Sequence, residues 1–267
     1  MADLADPTEL TDLTDPTDSN EPIETALLDG RVRCLQPRTG YRIAIDTVLM
    51  AAAVPAKSGD QVLDVGAGAG AAGLCVAARV AGLKVSGIEI QPGFAKLARR
   101  NADLNGWGER FQIVDGDVGE RPGPLRPDTY DHVISNPPFV EAGRGRMPPD
   151  PAKATAKMES HVALGDWIGF CIRMAKTKAT ITIVHRADRL EEILSAMAES
   201  VGDLVIFPLW PGGDKPEQPA KRVIVQGRKG MKGPSTLARG LVLHQPGGTY
   251  TDETNRLLVD AEALEIR

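Results

Sequence analysis

Gln61-Val62-Leu63-Asp64-Val65-Gly66-Ala67-Gly68-Ala69-Gly70 decides how this chain folds. Gln61–Val65 is short, apolar and β-branched, and reads as a buried strand. Three glycines at alternate positions follow, and the apolar stretch 71–80 then reads as a helix. Glycine lets a backbone turn tightly and approach a bound molecule without a Cβ in the way. A strand that breaks into such a loop and re-forms as a helix predicts a ligand at the strand's carboxyl end.

The pattern repeats on both sides. Residues 84–90 form a strand, and 92–105 a helix with Pro92 inside its start and Gly106 past its end. Residues 111–114 and 131–135 are further strands. Residues 161–176 read as a helix and 180–185 as a strand. Asp188 is placed to cap a helix that runs to residue 200. Residues 204–209 and 222–226 are strands with a polar Pro/Gly loop between them, which predicts an antiparallel pair at one edge. Strands alternating with helices predict an α/β domain with a mostly parallel, seven-stranded sheet covered on both faces, one edge strand running antiparallel. Residues 140–160 are polar, proline-rich and basic, a long connection without periodicity.

Composition bounds the rest. With 267 residues and 42% hydrophobic content the chain is long enough for one such domain with additions. No apolar run reaches the ~20 residues of a membrane span, and the N-terminus lacks the pattern of an export signal, so a cytoplasmic protein is expected. Cys34, Cys75 and Cys171 and the four histidines (His132, His161, His185, His244) are scattered, and predict neither a disulfide framework nor a metal site. The net charge of −5 is a property of one end. Residues 1–29 hold nine acids and no base, and the rest of the chain has 27 acids against 31 bases. The acidic segment nearly repeats itself, with Asp-Leu-Ala-Asp-Pro-Thr-Glu at 3–9 and Asp-Leu-Thr-Asp-Pro-Thr-Asp at 12–18. Like charges, prolines and few apolar residues predict a disordered tail over residues 1–24, ahead of a folded domain over 25–267. Such a tail can solvate the protein or compete with an anionic ligand for a basic face.

Acids stand at the ends of three successive strands: Asp64, Glu89 and Asp117. The glycine loop also satisfies a loose dinucleotide pattern through Gly66, Gly68 and Ala71. Asp64, however, would repel a pyrophosphate and attract a cationic ligand. Glu89 can accept both hydroxyls of a ribose, and Asp117 is placed to meet an adenine amino group. These acids, with Gly66, Gly68 and Gly70, make a candidate site for S-adenosyl-L-methionine.

The strand Tyr130-Asp131-His132-Val133-Ile134-Ser135 runs into Asn136-Pro137-Pro138-Phe139. This segment offers an amide, carbonyls on a backbone whose prolines donate no hydrogen bond, and an aromatic face. A planar nitrogen heterocycle carrying an amino group fits such a set. Asn136, Pro137 and Phe139 are the candidate catalytic residues, with Asn136 also bordering the cofactor.

Together the DxGxGxG loop, the acid after the second strand and Asn-Pro-Pro-Phe resemble the class I S-adenosylmethionine-dependent methyltransferases, and within them the enzymes that modify planar amide or amino nitrogens. Over residues 25–265 the chain is similar to the tRNA1(Val) adenine-N6 methyltransferases, which act on adenine 37. That resemblance rests on Tyr41-Arg42-Ile43-Ala44-Ile45-Asp46-Thr47-Val48-Leu49-Met50 and on the Asn-Pro-Pro-Phe. Weaker support comes from Lys221-Arg222-Val223-Ile224-Val225 and Gly248-Thr249-Tyr250-Thr251. It implies a Rossmann-like fold and a role for Asp46 near the methionine end of the cofactor; a helix N-cap is the other reading of Asp46. Many relatives have Tyr where Phe139 stands, so stacking is kept and a phenol hydroxyl is lost.

Between Gln218 and Thr251 there is no acid and there are six bases: Lys221, Arg222, Arg228, Lys229, Lys232 and Arg239. Arg144, Arg146, Lys153 and Lys157 lie in the 140–160 connection. Bases so grouped predict contacts to RNA phosphates, with tRNA or another structured RNA as partner. The expected reaction is methylation of adenine N6 in tRNA. A protein glutamine-N5 methyltransferase, or a non-catalytic RNA-binding protein on the same scaffold, are the alternatives. Oligomeric state has no signal in the sequence.

Overall fold

The computed structural model describes residues 21–39, 42–120, 123–138, 140–141, 159–160 and 162–267. Its centre is a set of parallel strands: β3 (Gln61–Val65), β4 (Lys84–Glu89), β5 (Phe111–Asp115), β6 (Tyr130–Ser135) and β9 (Ala175–Arg186). β3 lies between β4 and β6, with Asp64 level with Gly87 on one side and Val65 level with Ser135 on the other. β5 flanks β4, and β9 flanks β6.

Side chains alternate across this sheet, and the two faces bury different sets. Val62, Val85, Ile134 and Val184 belong to one core, together with Leu74 of helix α2 (Ala71–Arg79) and Ala95 and Ala98 of α3 (Pro92–Leu104). Helix α1 (Ile45–Ala52) packs against α2 in the same layer. Leu63, Val65, Val133, Ile181 and Ile183 belong to the other core, with Trp167, Ile168 and Phe170 of α4 (Leu164–Met174) and Ile193 of α5 (Leu190–Met197). The near-continuous apolar strands thus have the cover on both faces that a parallel sheet requires.

Four expectations change here. Among the described residues the sheet has nine strands, because β12 (Thr236–Leu237) and β13 (Leu241–His244) add to the outer side of β10 (Val201–Gly212). The antiparallel strand is not at the edge: β11 (Arg222–Lys229) lies between β9 and β10 and runs against both. Its sequence, Val223-Ile224-Val225, suits this position, since all three residues are buried. The helix expected over 161–176 begins at Leu164 and ends at Met174, and the chain becomes strand at Ala175 without a loop. Asp188 does not cap α5; it pairs with Arg186, and the cap position is Arg189.

At the N-terminus β1 (Ile23–Leu27) and β2 (Val32–Gln36) form an antiparallel hairpin. β1 thus starts at Ile23, inside the stretch read as tail, and residues 1–20 lie outside the described ones. The hairpin docks on α3 through Asn101, which is fully buried. The Asn101 Oδ1 accepts the Leu35 N–H at 2.7 Å, and its Nδ2 donates to the carbonyls of Leu35 and Ala69, both at 2.9 Å. The connection read over 140–160 contributes a two-residue parallel pairing, β7 (Val140–Glu141) with β8 (Glu159–Ser160). Helix α6 (Asp252–Leu258) has its first turn capped by the Thr251 hydroxyl. Among the described residues no helix is long and apolar enough to cross a membrane.

Candidate active site

The glycine loop leaves β3 and is tied at once to the neighbouring strand. The N–H groups of Gly66 and Ala67 both donate to the Ile88 carbonyl, at 2.9 and 3.0 Å. Gly66, Gly68 and Gly70 all have positive φ (72°, 55° and 82°), a region other residues enter only with strain. Gly66 also has no room for a side chain, since a Cβ there would lie 2.7 Å from the Trp167 ring.

Two of the expected acids organise this loop. Glu89 accepts the Gly68 N–H at 2.8 Å with one oxygen and the Gln91 N–H at 2.9 Å with the other. Each oxygen has a second lone pair for a hydroxyl. Asp64 is almost completely buried and accepts the Gly73 N–H at 3.1 Å. Burial pushes its pKa up to about 7; the Gly73 N–H opposes this and the Glu89 charge adds to it. Asp117 sits beyond β5, where its carboxylate accepts the Gly119 N–H at 2.7 Å.

The second motif is a direct neighbour of the first. Because Val65 is level with Ser135, the chain leaves the sheet at Gly66 and at Asn136 side by side. The junction is cross-braced: the Ser135 hydroxyl donates to the Val65 carbonyl at 2.7 Å and accepts the Trp167 indole N–H at 2.9 Å. Beyond it the Asn136 Oδ1 is buried and has no hydrogen-bond partner among the described residues. A buried acceptor without a donor is costly, by ~1–3 kcal/mol, and usually has a functional reason. Phe139 lies outside the described residues, as do Arg144, Arg146, Lys153 and Lys157.

A family model described as the methyltransferase small domain matches residues 41–147. The chain is 27% identical over 217 residues to a tRNA1(Val) (adenine(37)-N6)-methyltransferase of Aeromonas hydrophila, covering 80% of this chain and 87% of that one. It is 27% identical over 224 residues to a protein of the same name from Yersinia pseudotuberculosis, covering 84% and 86%. A crystal structure from Agrobacterium tumefaciens, described as a predicted O-methyltransferase, superposes with a TM-score of 0.68 at 27% identity, over 83% of this chain and 99% of that one. This chain is an S-adenosylmethionine-dependent methyltransferase.

The methyltransferase has residues that suit its cofactor. Glu89 and Asp64 place carboxylates at adjoining strand ends beside the glycine loop, and the Asn136 Oδ1, without a partner among the described residues, lies just beyond the neighbouring strand end. Asp46 fits less simply. It lies in the first turn of α1 rather than at the cap, which is Ala44, and it forms an ion pair at 2.8 Å with Arg222. The N-cap reading is therefore replaced by a bond between α1 and the start of β11.

The basic residues grouped in sequence are dispersed in space. Arg222 is level with Arg186, at the carboxyl end of β9 and on the same side of the sheet as Asn136. Lys221, just before it, is exposed. Arg228 and Lys229 stand at the other end of β11, roughly 20 Å away at the usual rise per strand residue. Lys229 pairs there with Asp128 at 2.7 Å, and Arg228 approaches Asp203 at 3.7 Å. Strand direction, invisible in the list of charges, separates them.

The residue that sequence reading missed is Trp167. It lines Gly66 and holds Ser135, so it touches both motifs. Its signal was faint: one of two aromatics in a helix whose inward face is apolar throughout.

Proposed function

We propose that this methyltransferase transfers a methyl group to the exocyclic N6 of adenine in tRNA, as the names of its relatives state for them. The observation that carries the reading is the buried, unpartnered Asn136 Oδ1 beside the glycine loop. An exocyclic amine on an aromatic ring has two N–H bonds and a lone pair delocalised into the ring. The Asn136 Oδ1 and the Pro137 carbonyl accept those two N–H bonds. The nitrogen is drawn toward tetrahedral geometry, and its lone pair turns out of the ring plane. When bound, S-adenosylmethionine supplies a methyl group already activated by a sulfonium. Positioning then provides much of the rate. The amine need not lose a proton first; the proton leaves to solvent after the new bond has formed.

In this reading Asp64, Glu89, Asp117 and the Gly66, Gly68 and Gly70 backbone hold the cofactor, with Asp46 near its methionine end. Phe139 stacks on the target base. Lys221 and Arg222, together with Arg144 and Arg146, stand on the RNA side. An anticodon-loop adenine is already unpaired, so moving it into the site costs little. A tRNA substrate also implies a cytoplasmic location.

The test is methyl transfer from labelled cofactor to unmodified bulk tRNA, followed by nucleoside analysis. N6-methyladenosine is expected. Label found instead in N5-methylglutamine of a protein substrate, with none in RNA, would overturn the adenine reading.

A further inference from the structure

Gly248-Thr249-Tyr250-Thr251 has no part in the scheme above, yet it stands at the reactive end of the sheet. β11 runs against both β9 and β10, so β9 and β10 point the same way, and β13 runs parallel to β10. The carboxyl ends of β10 and β13 therefore lie on the side of the sheet that carries Gly66 and Asn136. Gly212 ends β10 and His244 ends β13, level with each other. The Gly213 N–H donates to the His244 carbonyl at 2.8 Å.

There the chain makes a braced turn. It reverses through Gly247 and Gly248, at φ of 88° and 83°, and brings Tyr250 opposite His244. The Gln245 N–H donates to the Thr249 carbonyl at 3.0 Å, and the Gln245 side-chain amide donates to the Thr249 hydroxyl at 2.8 Å. The Thr251 N–H donates to the Leu243 carbonyl at 3.0 Å. The Gly247 N–H donates to the Asp214 carboxylate at 3.0 Å, which fixes the turn to the connection between β10 and β11. On this frame the rings of His244 and Tyr250 stack, with centroids 4.9 Å apart and planes 27° from parallel. The His244 Nδ1 donates to the Pro211 carbonyl at 3.0 Å, which sets the angle of its ring. Both residues are only half-buried, and residues 245–249 are exposed. Neither the His244 Nε2 nor the Tyr250 hydroxyl has a partner among the described residues. Two rings that served packing alone would gain more by full burial; these are held rigidly at the surface with polar edges unengaged.

Resting on the tRNA reading above, we propose that the His244–Tyr250 pair is a stacking platform for a second nucleobase of the RNA, one that is not methylated. Distance decides which base it takes. Four strand spacings separate β6, which leads to Asn136, from β13, or roughly 19 Å across the sheet. An adenine in the catalytic site cannot touch the pair, whereas a nucleotide elsewhere in the same RNA can. Every base has a π-face, so the platform accepts one whatever the sequence. Lys221 stands between the two points, at the start of β11. It is exposed and has no acid paired to it among the described residues, whereas Arg222 and Arg186 beside it are engaged by Asp46 and Asp188. Its ammonium is available to a phosphate of the strand that joins the two bases. The RNA is thus held at two places, and the target base is presented from a fixed direction.

The test is binding of unmodified bulk tRNA in a filter assay without methyl donor. Tyr250→Ala should bind about 5–100-fold more weakly, with the Kd for cofactor within about 2-fold of wild type as the check on folding. Tyr250→Phe keeps the ring and should bind tRNA within about 3-fold of wild type. Salt titration separates stacking from charge. The slope of log affinity on log salt should be unchanged in Tyr250→Ala and shallower by roughly 1 in Lys221→Ala. Tyr250→Trp gives a direct signal: its added emission should be quenched by tRNA. Wild-type affinity in Tyr250→Ala, a Tyr250→Phe as weak as Tyr250→Ala, or unquenched emission in Tyr250→Trp would overturn the platform. A wild type that bound tRNA through Tyr250 yet made no N6-methyladenosine would overturn the adenine reading alone. A wild type that bound no tRNA would overturn both.

Discussion

The Trp167 ring lies against Gly66 so closely that a single added carbon would come within 2.7 Å of it, while its indole N–H holds Ser135. One side chain thus sets the distance between the loop that takes the cofactor and the strand end that takes the substrate. Gly66→Ala would have to adopt a φ of 72° as well as displace the ring. It should cost about 2–3 kcal/mol of stability and at least about tenfold in cofactor affinity. Urea unfolding and calorimetry measure the two; wild-type values for both would show that the ring yields freely.

Asn136→Ala separates function from folding. The Oδ1 it removes has no hydrogen-bond partner among the described residues, so its loss relieves a buried acceptor while leaving a small void. Turnover should fall at least about 100-fold, with the midpoint of unfolding within about 0.5 kcal/mol of wild type. A variant that unfolds early, or one that still turns over, would contradict the role given to this amide.

Asp64 makes cofactor binding depend on pH. Its pKa in the fold is about 7, above the ordinary 3.8, because burial disfavours the charged form. A raised carboxylate binds a proton more tightly folded than unfolded. Its contribution to stability is therefore fully present at the acid end and is lost as pH rises from about 4 to about 7. A cationic ligand has the opposite preference and needs the carboxylate ionised. Cofactor affinity should drop as pH falls below 7, by at most about tenfold per unit, with a proton released on binding near pH 6. Calorimetry in two buffers of different ionisation enthalpy reads that proton. Asp64→Asn should bind more weakly and release none; an unchanged proton release would assign it to another group.

The ion pair between Asp46 and Arg222 joins the first helix to a strand 176 residues later. Asp46 is nearly buried and Arg222 partly so, which makes the loss of one partner costly. A double-mutant cycle with Asp46→Asn and Arg222→Met should give a coupling of about 1–2 kcal/mol in urea unfolding. A coupling near zero would mean that solvent already screens the pair.

Much of this was legible before any coordinates. The order of strands and helices from Gln61 to Ser135 follows from local residue types, and so do both motifs. What the sequence hid depends on contacts between distant residues. Nothing in Arg222–Lys229 says that it enters between β9 and β10 rather than outside them, since an apolar strand suits either place. Lys221, Arg222, Arg228 and Lys229 look like one patch until the direction of β11 pulls them to opposite ends. Asn101 reads as an ordinary helix residue, because its partners are backbone atoms of Leu35 and Ala69. His185 did leave a trace of its burial: it is the polar member of the series Ile181, Ile183, His185, where a third apolar residue would have been ordinary.

The place of β11 also sets a timetable for the chain as it is made. Both catalytic motifs have been synthesised by Phe139, but β9, complete at Arg186, keeps an open edge until Lys229 exists to complete its neighbour. Asp46 waits until Arg222 is made, and His185 until Val223 is made beside it. At ordinary rates of synthesis the gap from Arg186 to Lys229 is roughly 2–9 s. During it the nascent protein has its catalytic residues and one open edge of β9, of the kind that joins other strands. The newborn enzyme is thus most exposed to misassembly after its chemistry has been written and before its last strands arrive.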